Sequence, residues 1–261
     1  MGFWSNLFGK KETVNRNSHH QNLAWIGWDM HNHLLPGIDD GSQNLEQSIE
    51  LIQGLQELGI NHAVCTPHVM AGVHNNTPET ISNAHKILVE GLKDKGIEFN
   101  VQYSAEYMID DQLDSWVQAN NLCLIADKYM LIEMSYLSES KALFTMIKDI
   151  QDKGYQPILA HPERYNYYHN SFKIFEEIKN AGCMLQLNLL SISKYYGEHV
   201  KTAALTLIRS GMYDFVGTDM HHTRHLEALK SVVRKYNIQD LLKDCTIRNA
   251  SLFQEMEKKI A

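Results

Sequence analysis

From Trp25 onward, short apolar runs alternate with longer amphipathic stretches. The apolar runs predict strands over 25–30, 61–66, 98–105, 129–134, 157–160, 183–189 and 213–218. Stretches with helical periodicity predict helices over 43–58, 78–95, 138–153, 171–181, 199–210 and 223–235. In the first of these, Leu45, Ile49, Ile52, Leu55 and Leu58 form one stripe, and Gly59 supplies a stop. Strand-then-helix alternation predicts parallel strands, because a parallel pair needs a long crossover and a helix is its usual form. The expected class is therefore α/β, as a barrel or an open sheet.

The pattern fails before Trp25. Phe3, Trp4, Leu7 and Phe8 give Met1–Lys11 a short amphipathic face followed by Lys10 and Lys11. Eleven residues make a marginal helix, so a frayed tail is expected, with a weak peripheral contact to a membrane as the alternative. Thr13–Asn22 is polar and aperiodic, which predicts a linker. The expected division is a tail and linker over 1–24 and one domain over 25–261.

Composition narrows the class. With 44% hydrophobic and 21% charged residues, the 261-residue chain is expected to be globular. Its net charge of −7 argues against nucleic acid as partner, since duplex binding rests on Lys and Arg neutralising phosphates. No apolar run is long enough to predict a transmembrane segment. The four cysteines, Cys65, Cys123, Cys183 and Cys245, lie far apart and form no C-x-x-C pair. Buried free thiols and a cytoplasmic location are expected.

The metal-loving residues gather at the ends of predicted strands: Asp29, His31 and His33 after the first, His68 after the second, Glu106 after the third. Glu133, His161 and the pair Asp219 and His221 end the fourth, fifth and seventh, and Asp39 and Asp40 follow the first in a loop. Carboxyl ends of parallel strands are where such folds build active sites. A single His or Glu there is usually a hydrogen-bonded structural residue; recurrence at six strand ends favours a site. Crowded carboxylates must protonate or bind cations. Nitrogen and oxygen donors without thiolate suit Mn, Fe or Zn, and the donor count exceeds one ion's shell, so two or three ions are expected. His19, His20, His62, His74, His85, His169, His199, His222 and His225 lack this placement and are read as surface or local structure.

Other chemistries lack their motifs. The sequence contains no G-x-x-x-x-G-K-[ST], no G-x-G-x-x-G and no G-x-S-x-G. A cysteine-based phosphatase loop needs Arg six residues after its Cys; here Ala71, Tyr129, Leu189 and Ser251 occupy those positions.

The segment DMHNHLLPGIDDG over 29–41 resembles the first motif of the polymerase and histidinol phosphatase (PHP) superfamily. CTPH at 65–68, SAEYM at 104–108, LIEMSY at 131–136, AHPERY at 160–165 and GTDMHH at 217–222 follow in the family's order. DDG and HPERY favour the bacterial capsule-type metal-dependent tyrosine phosphatases. The resemblance, over about residues 25–255, implies a distorted seven-stranded (β/α) TIM-like barrel with a trinuclear site, Mn first and Fe or Zn as alternatives. It implies His31, His33, Asp40, His68, Glu106, Glu133, His161, Asp219 and His221 as ligands, with Glu106 bridging. Arg164 resembles the family's phosphate-binding arginine, and Arg224 is the nearest candidate for a second. Arg164, His68 and Asp40 are the expected catalytic residues. The implied reaction is attack of a metal-activated hydroxide on phosphotyrosine, in the tyrosine-rich tail of a bacterial tyrosine kinase controlling capsule or exopolysaccharide synthesis. The alternatives are a histidinol-phosphate phosphatase or other PHP phosphoesterase, a nuclease or polymerase-associated module, and a non-catalytic metal-bound regulatory module.

Overall fold

A computed structural model describes residues 22–252. The expected tail over 1–11, His19, His20 and the last nine residues lie outside the described residues. Eight short strands carry the regular pairing: β1 (His62–Cys65), β2 (His68–Val69), β3 (Asn100–Tyr103), β4 (Glu106–Met108), β5 (Tyr129–Glu133), β6 (Gln156–Ala160), β7 (Met184–Asn188) and β8 (Phe215–Gly217). All pair in parallel, as a six-stranded sheet in the order β2-β4-β5-β6-β7-β8 and a two-stranded sheet β1-β3. The result is a mixed α/β fold with a curled parallel half-barrel. The helices are α1 (Leu45–Glu57), α2 (Pro78–Asp94), α3 (Leu113–Ala119), α4 (Leu143–Asp152), α5 (Lys173–Asn180), α6 (Glu198–Arg209), α7 (Thr223–Lys235) and α8 (Ile238–Leu241). Among the described residues no helix is long and apolar enough to cross a membrane.

The departures from expectation have local causes. Residues 25–30 form no regular strand: Ala24–Ile26 is a 3-10 turn ended by Gly27 at φ +74°. Residues 29–33 nevertheless bond on both sides. Asp29 N donates to His62 O (3.0 Å) and Thr66 N to Asn32 O (2.8 Å), while Asp219 N donates to His31 O (2.8 Å) and His33 N to Met220 O (2.9 Å). The expected strand 98–105 is regular only as β3, because its neighbour contains Pro67, which has no N–H for the ladder; pairing resumes beyond it as β4, where Glu106 N donates to Pro67 O (3.0 Å). The helix expected from 138 begins at Leu143, since Ser135 and Ser140 spend their hydroxyls on the turns before it. Helix α3 was not foreseen; Asp110 accepts from Gln112 N and Leu113 N at its start, and Asn120 ends it in the left-handed region.

The sheet separates two apolar layers. Met130 and Ile132 on β5 join the large core under the helices, while Leu131 faces a smaller interior plug with Trp28, Met30, Val64, Ile158 and Phe215. Side chains alternate along a strand, so residues two or four beyond a plug residue stand above it. Glu133 follows Leu131, His68 follows Val64 and Asp219 follows Phe215 by such steps. The hydrophobic pattern thus aims these donors into the mouth of the half-barrel.

One side chain crosses a gap the backbone leaves. Buried Asn249 donates to Trp28 O (3.0 Å) and Val216 O (2.8 Å) and accepts from Val216 N (3.0 Å). Asn249→Ala would orphan three buried backbone groups and is expected to destabilise the protein by about 2–3 kcal/mol. Denaturant unfolding checks this; a loss below about 0.5 kcal/mol would contradict the bridging role.

Candidate metal centre

The nine expected donors meet in one place. Ligand atoms fall into four overlapping groups, each within 4.8 Å: His33, Asp40, His68 and His221; His31, Glu106 and His161; His31, His33 and Asp219; and His68, Glu106 and Glu133. All but Asp40, His68 and His221 are buried. Asp40, with 60% of its side chain exposed, stands at the mouth, 3.5 Å from both His68 Nε2 and His221 Nε2.

Surrounding residues fix which face each ligand presents. His31 Nδ1 lies 2.9 Å from Gln186 Oε1, which also accepts from His161 N, so Nε2 of His31 faces the cluster. Asp39 Oδ2 lies 2.7 Å from His33 Nδ1 and turns Nε2 of that ring inward. Asp219 Oδ2 accepts from Arg164 Nη1 and Asn188 Nδ2, both at 2.8 Å, leaving Oδ1 toward His31, His33 and His221. Such outer partners set tautomer and aim. Gly41 lets the Asp39–Gly41 loop fold back on His33: a Cβ there would meet His33 O at 2.3 Å. His161 and Asp219 hold left-handed backbone at φ 33° and 51°, an unfavourable conformation for non-glycine residues that clusters at functional sites.

The inner atoms fit a bound cation. His31 Nε2, His33 Nε2, His68 Nδ1, Glu106 Oε2 and Glu133 Oε1 are buried with no partner outside the cluster and face only one another, His68 Nδ1 lying 2.8 Å from Glu133 Oε1. Buried polar atoms are normally satisfied by outside partners, and here they converge on one another. Glu106 Oε2 alone lies 3.2 Å from His31 Nε2, 3.4 Å from His33 Nε2 and 3.2 Å from His68 Nδ1. Without an ion, imidazolium must supply the positive charge. Burial opposes this at His68, yet Glu133 and Glu106 prevail and push it up to about 9. Burial likewise opposes ionisation of Glu106 and Asp219, but the imidazoles, His31 first, hold both well below the usual carboxylate range.

Several contributors act otherwise than the sequence pattern predicts, or carry no signal in it. Asp29, grouped by strand parity with His31 and His33, instead accepts from Thr218 N and Oγ1 at 2.9 and 2.6 Å and ties its segment to β8. Asp39, part of the DDG motif, orients His33 from behind, while Gln186 and Asn188 carry no motif of their own. His225, read as local structure, is buried against the centre with Nδ1 3.2 Å from His221 N, and His74 stacks on His68. Arg164 sits between two rings, its guanidinium carbon 4.4 Å from the Tyr136 centroid and 4.3 Å from that of Tyr196. Arg224 is exposed in the first turn of α7, its charge near Tyr195 and His222, and is not among the converging groups. All four cysteines are free, and burial raises every thiol, Cys123 to about 11. None joins the converging donors.

A parallel half-barrel with this many nitrogen and oxygen donors at its strand ends defines a candidate metal-dependent enzyme of the α/β class. Residues 27–253 match the family described as capsular polysaccharide synthesis, CpsB/CapC, and the chain belongs to that family. It is 28% identical over 197 residues to the tyrosine-protein phosphatase YwqE of Bacillus subtilis, covering 75% of this chain and 78% of that one. It is 31% identical over 201 residues to the tyrosine-protein phosphatase CpsB of Streptococcus agalactiae, covering 74% and 82%. Its fold superposes with a TM-score of 0.73 and 27% identity on a crystal structure described with YwqE from Bacillus subtilis and CpsB from Streptococcus pneumoniae as unique metal-dependent tyrosine phosphatases, covering 84% of this chain and 96% of that one.

A metal that takes His68 as a ligand must displace its proton. Apparent affinity for Mn2+ should therefore rise with pH between 6.5 and 8.5, about tenfold per unit for each proton displaced, and level off above about 9. Titration of chelator-stripped protein at several pH values, with proton release followed in weak buffer, checks this. An affinity independent of pH would contradict the competition.

Proposed function

We propose that this chain is a metal-dependent protein-tyrosine phosphatase that hydrolyses phosphotyrosine on a bacterial tyrosine kinase controlling capsule or exopolysaccharide synthesis. The observation that carries the reading is the convergence of mostly buried donor atoms from nine residues beside a half-buried guanidinium. His31, His33, Asp40, His68, Glu106, Glu133, His161, Asp219 and His221 would hold two or three ions, Mn first, with Glu106 at the centre of the donor set. The donor set contains four carboxylates, Asp40, Glu106, Glu133 and Asp219. Two divalent ions balance their charge, and a third leaves an excess that favours a dianionic phosphate monoester. Ions held there supply Lewis acidity toward phosphoryl oxygens and a lowered pKa for water.

The chain's own groups do the rest. Arg164 orients the non-bridging oxygens and offsets their charge during displacement. One of its nitrogens is engaged by Asp219, and the Tyr136 and Tyr196 rings fix the plane, so the free edge is aimed before substrate arrives. Guanidinium matches phosphate with paired donors. His68 and Asp40 stand at the mouth of the centre as its outermost donors; His68 serves first as a ligand, and a phenolate whose conjugate acid has a pKa of about 10 gains only modestly from a general acid. We read the pairing of residues 29–33 on both sides as the weak strand that closes a distorted seven-stranded (β/α) barrel, within a single domain over 25–261. Free buried thiols support a cytoplasmic setting.

Arg164→Ala should lower turnover of a phosphotyrosyl peptide about 100- to 1,000-fold with metal content unchanged, and Arg164→Lys should recover only part. Steady-state kinetics with parallel metal analysis checks this, with histidinol phosphate as the competing substrate. A metal-replete Arg164→Ala protein within about threefold of the parent would contradict the phosphate-binding role. Preference for histidinol phosphate would overturn the substrate class.

A further inference from the structure

Asn188 ends β7 and belongs to no motif, yet it is fully buried and its whole side-chain amide is engaged. Oδ1 accepts from Leu190 N at 2.9 Å. A backbone N–H can only donate, so the amide has one orientation and its NH2 group faces the other way. Nδ2 donates to Asp219 Oδ2 at 2.8 Å and to the Tyr196 hydroxyl oxygen at 3.2 Å. The Asn188 backbone N donates to Glu163 Oε1 at 3.0 Å.

Three of these partners reach Arg164. Asp219 Oδ2 also accepts from Arg164 Nη1 at 2.8 Å. The Tyr196 ring centre lies 4.3 Å from the guanidinium carbon. Glu163 immediately precedes Arg164 in the 3-10 turn Pro162–Arg164. A counter-ion, a stacking ring and the turn that carries the arginine therefore meet at one asparagine.

The amide also decides how the counter-ion is shared. Carboxylate and guanidinium favour two parallel hydrogen bonds, a fork that occupies one edge of the arginine. Here Asp219 Oδ1 is turned toward His31, His33 and His221, and Oδ2 is divided between Asn188 and a single arginine nitrogen. Without Nδ2, Oδ2 would have Arg164 alone and the Tyr196 hydroxyl would lose its anchor. The guanidinium would then be free to swing onto the carboxylate.

We propose that Asn188 is a positioning residue for Arg164. By filling Oδ2 of Asp219 and pinning Tyr196, it holds the guanidinium to Asp219 through one nitrogen and keeps the remaining edge turned to the phosphoryl group. The inference rests on the phosphatase reading above. Asn188 acts through Arg164 and touches no substrate.

The test is a double-mutant cycle on the metal-loaded full chain. Asn188→Ser keeps a side-chain oxygen near Leu190 N and gives up the NH2 group. It should lower kcat/KM on a phosphotyrosyl peptide about tenfold, the size that partners behind a site typically command. Calorimetric binding of inorganic phosphate should weaken by a similar factor, with metal per chain and metal affinity unchanged. In an Arg164→Ala background the same substitution should change either quantity less than about twofold, because nothing is left to aim. Tyr196→Phe keeps the ring and loses the bond to Asn188; it should cost about threefold, again only when Arg164 is present. That variant decides the matter where Asn188→Ser does not fold. Equal losses in both backgrounds, or no loss in the parent background, would overturn the proposal. Weakened metal binding by Asn188→Ser would also overturn it, making Asn188 a support of Asp219 alone. If the parent binds phosphate yet turns over no phosphotyrosyl peptide, the phosphatase reading fails while the phosphate cycle still decides Asn188.

Discussion

The structure depends on a concentration of ionisable groups that water does not reach. Glu106, Glu133 and Asp219 are buried within a few ångströms of one another's imidazole neighbours. Such an arrangement is costly unless positive charge is supplied. Protons on the imidazoles can supply it in the absence of metal, and the depressed carboxyls of Glu106 and Asp219 show how strongly the donors demand it. The inner atoms give this demand a direction: the outer atom of each of His31, His33 and Asp219 is bonded away from the centre, and the inner atom is left for a cation.

Everything around the centre serves to keep those atoms in register. An apolar plug inside the half-barrel sets the height at which strand-end side chains emerge. Tyr165 accepts from Met134 N at 3.0 Å and donates to Ala160 O at 3.1 Å, locking the ends of β5 and β6 together just below Glu133 and His161. Buried Glu163 accepts from Asn188 N and the Tyr213 hydroxyl, which anchors the turn that presents Arg164. Strained backbone at His161 and Asp219 is then held in place by these bonds rather than by local preference.

Much of this was legible in the sequence, for reasons that also mark the limits. Candidate donors at strand ends carry a position, so eight of the nine were legible there and Asp40 through the motif resemblance, and the structure brings all nine together. The helices were legible where one apolar stripe faces the sheet, as in α1. Residues that act from behind were not: Gln186 sits inside an ordinary strand, Asn249 in a polar stretch near the end, and their roles exist only across the fold. The break at Pro67 carried a signal, the missing N–H, that strand periodicity alone overlooked. The irregular segment at 29–33 read as a strand because its apolar run resembles one; its pairing is made of single bridges and side-chain bonds instead.

The most direct measurement is bound metal per chain followed together with turnover of a phosphotyrosyl peptide as Mn2+ is restored to chelator-stripped protein. Activity that appears only as binding passes one ion per chain, and reaches its plateau at two or three, is the expected result. Full turnover with metal removed, or a plateau in activity and binding at one ion or fewer, would contradict the multi-ion centre.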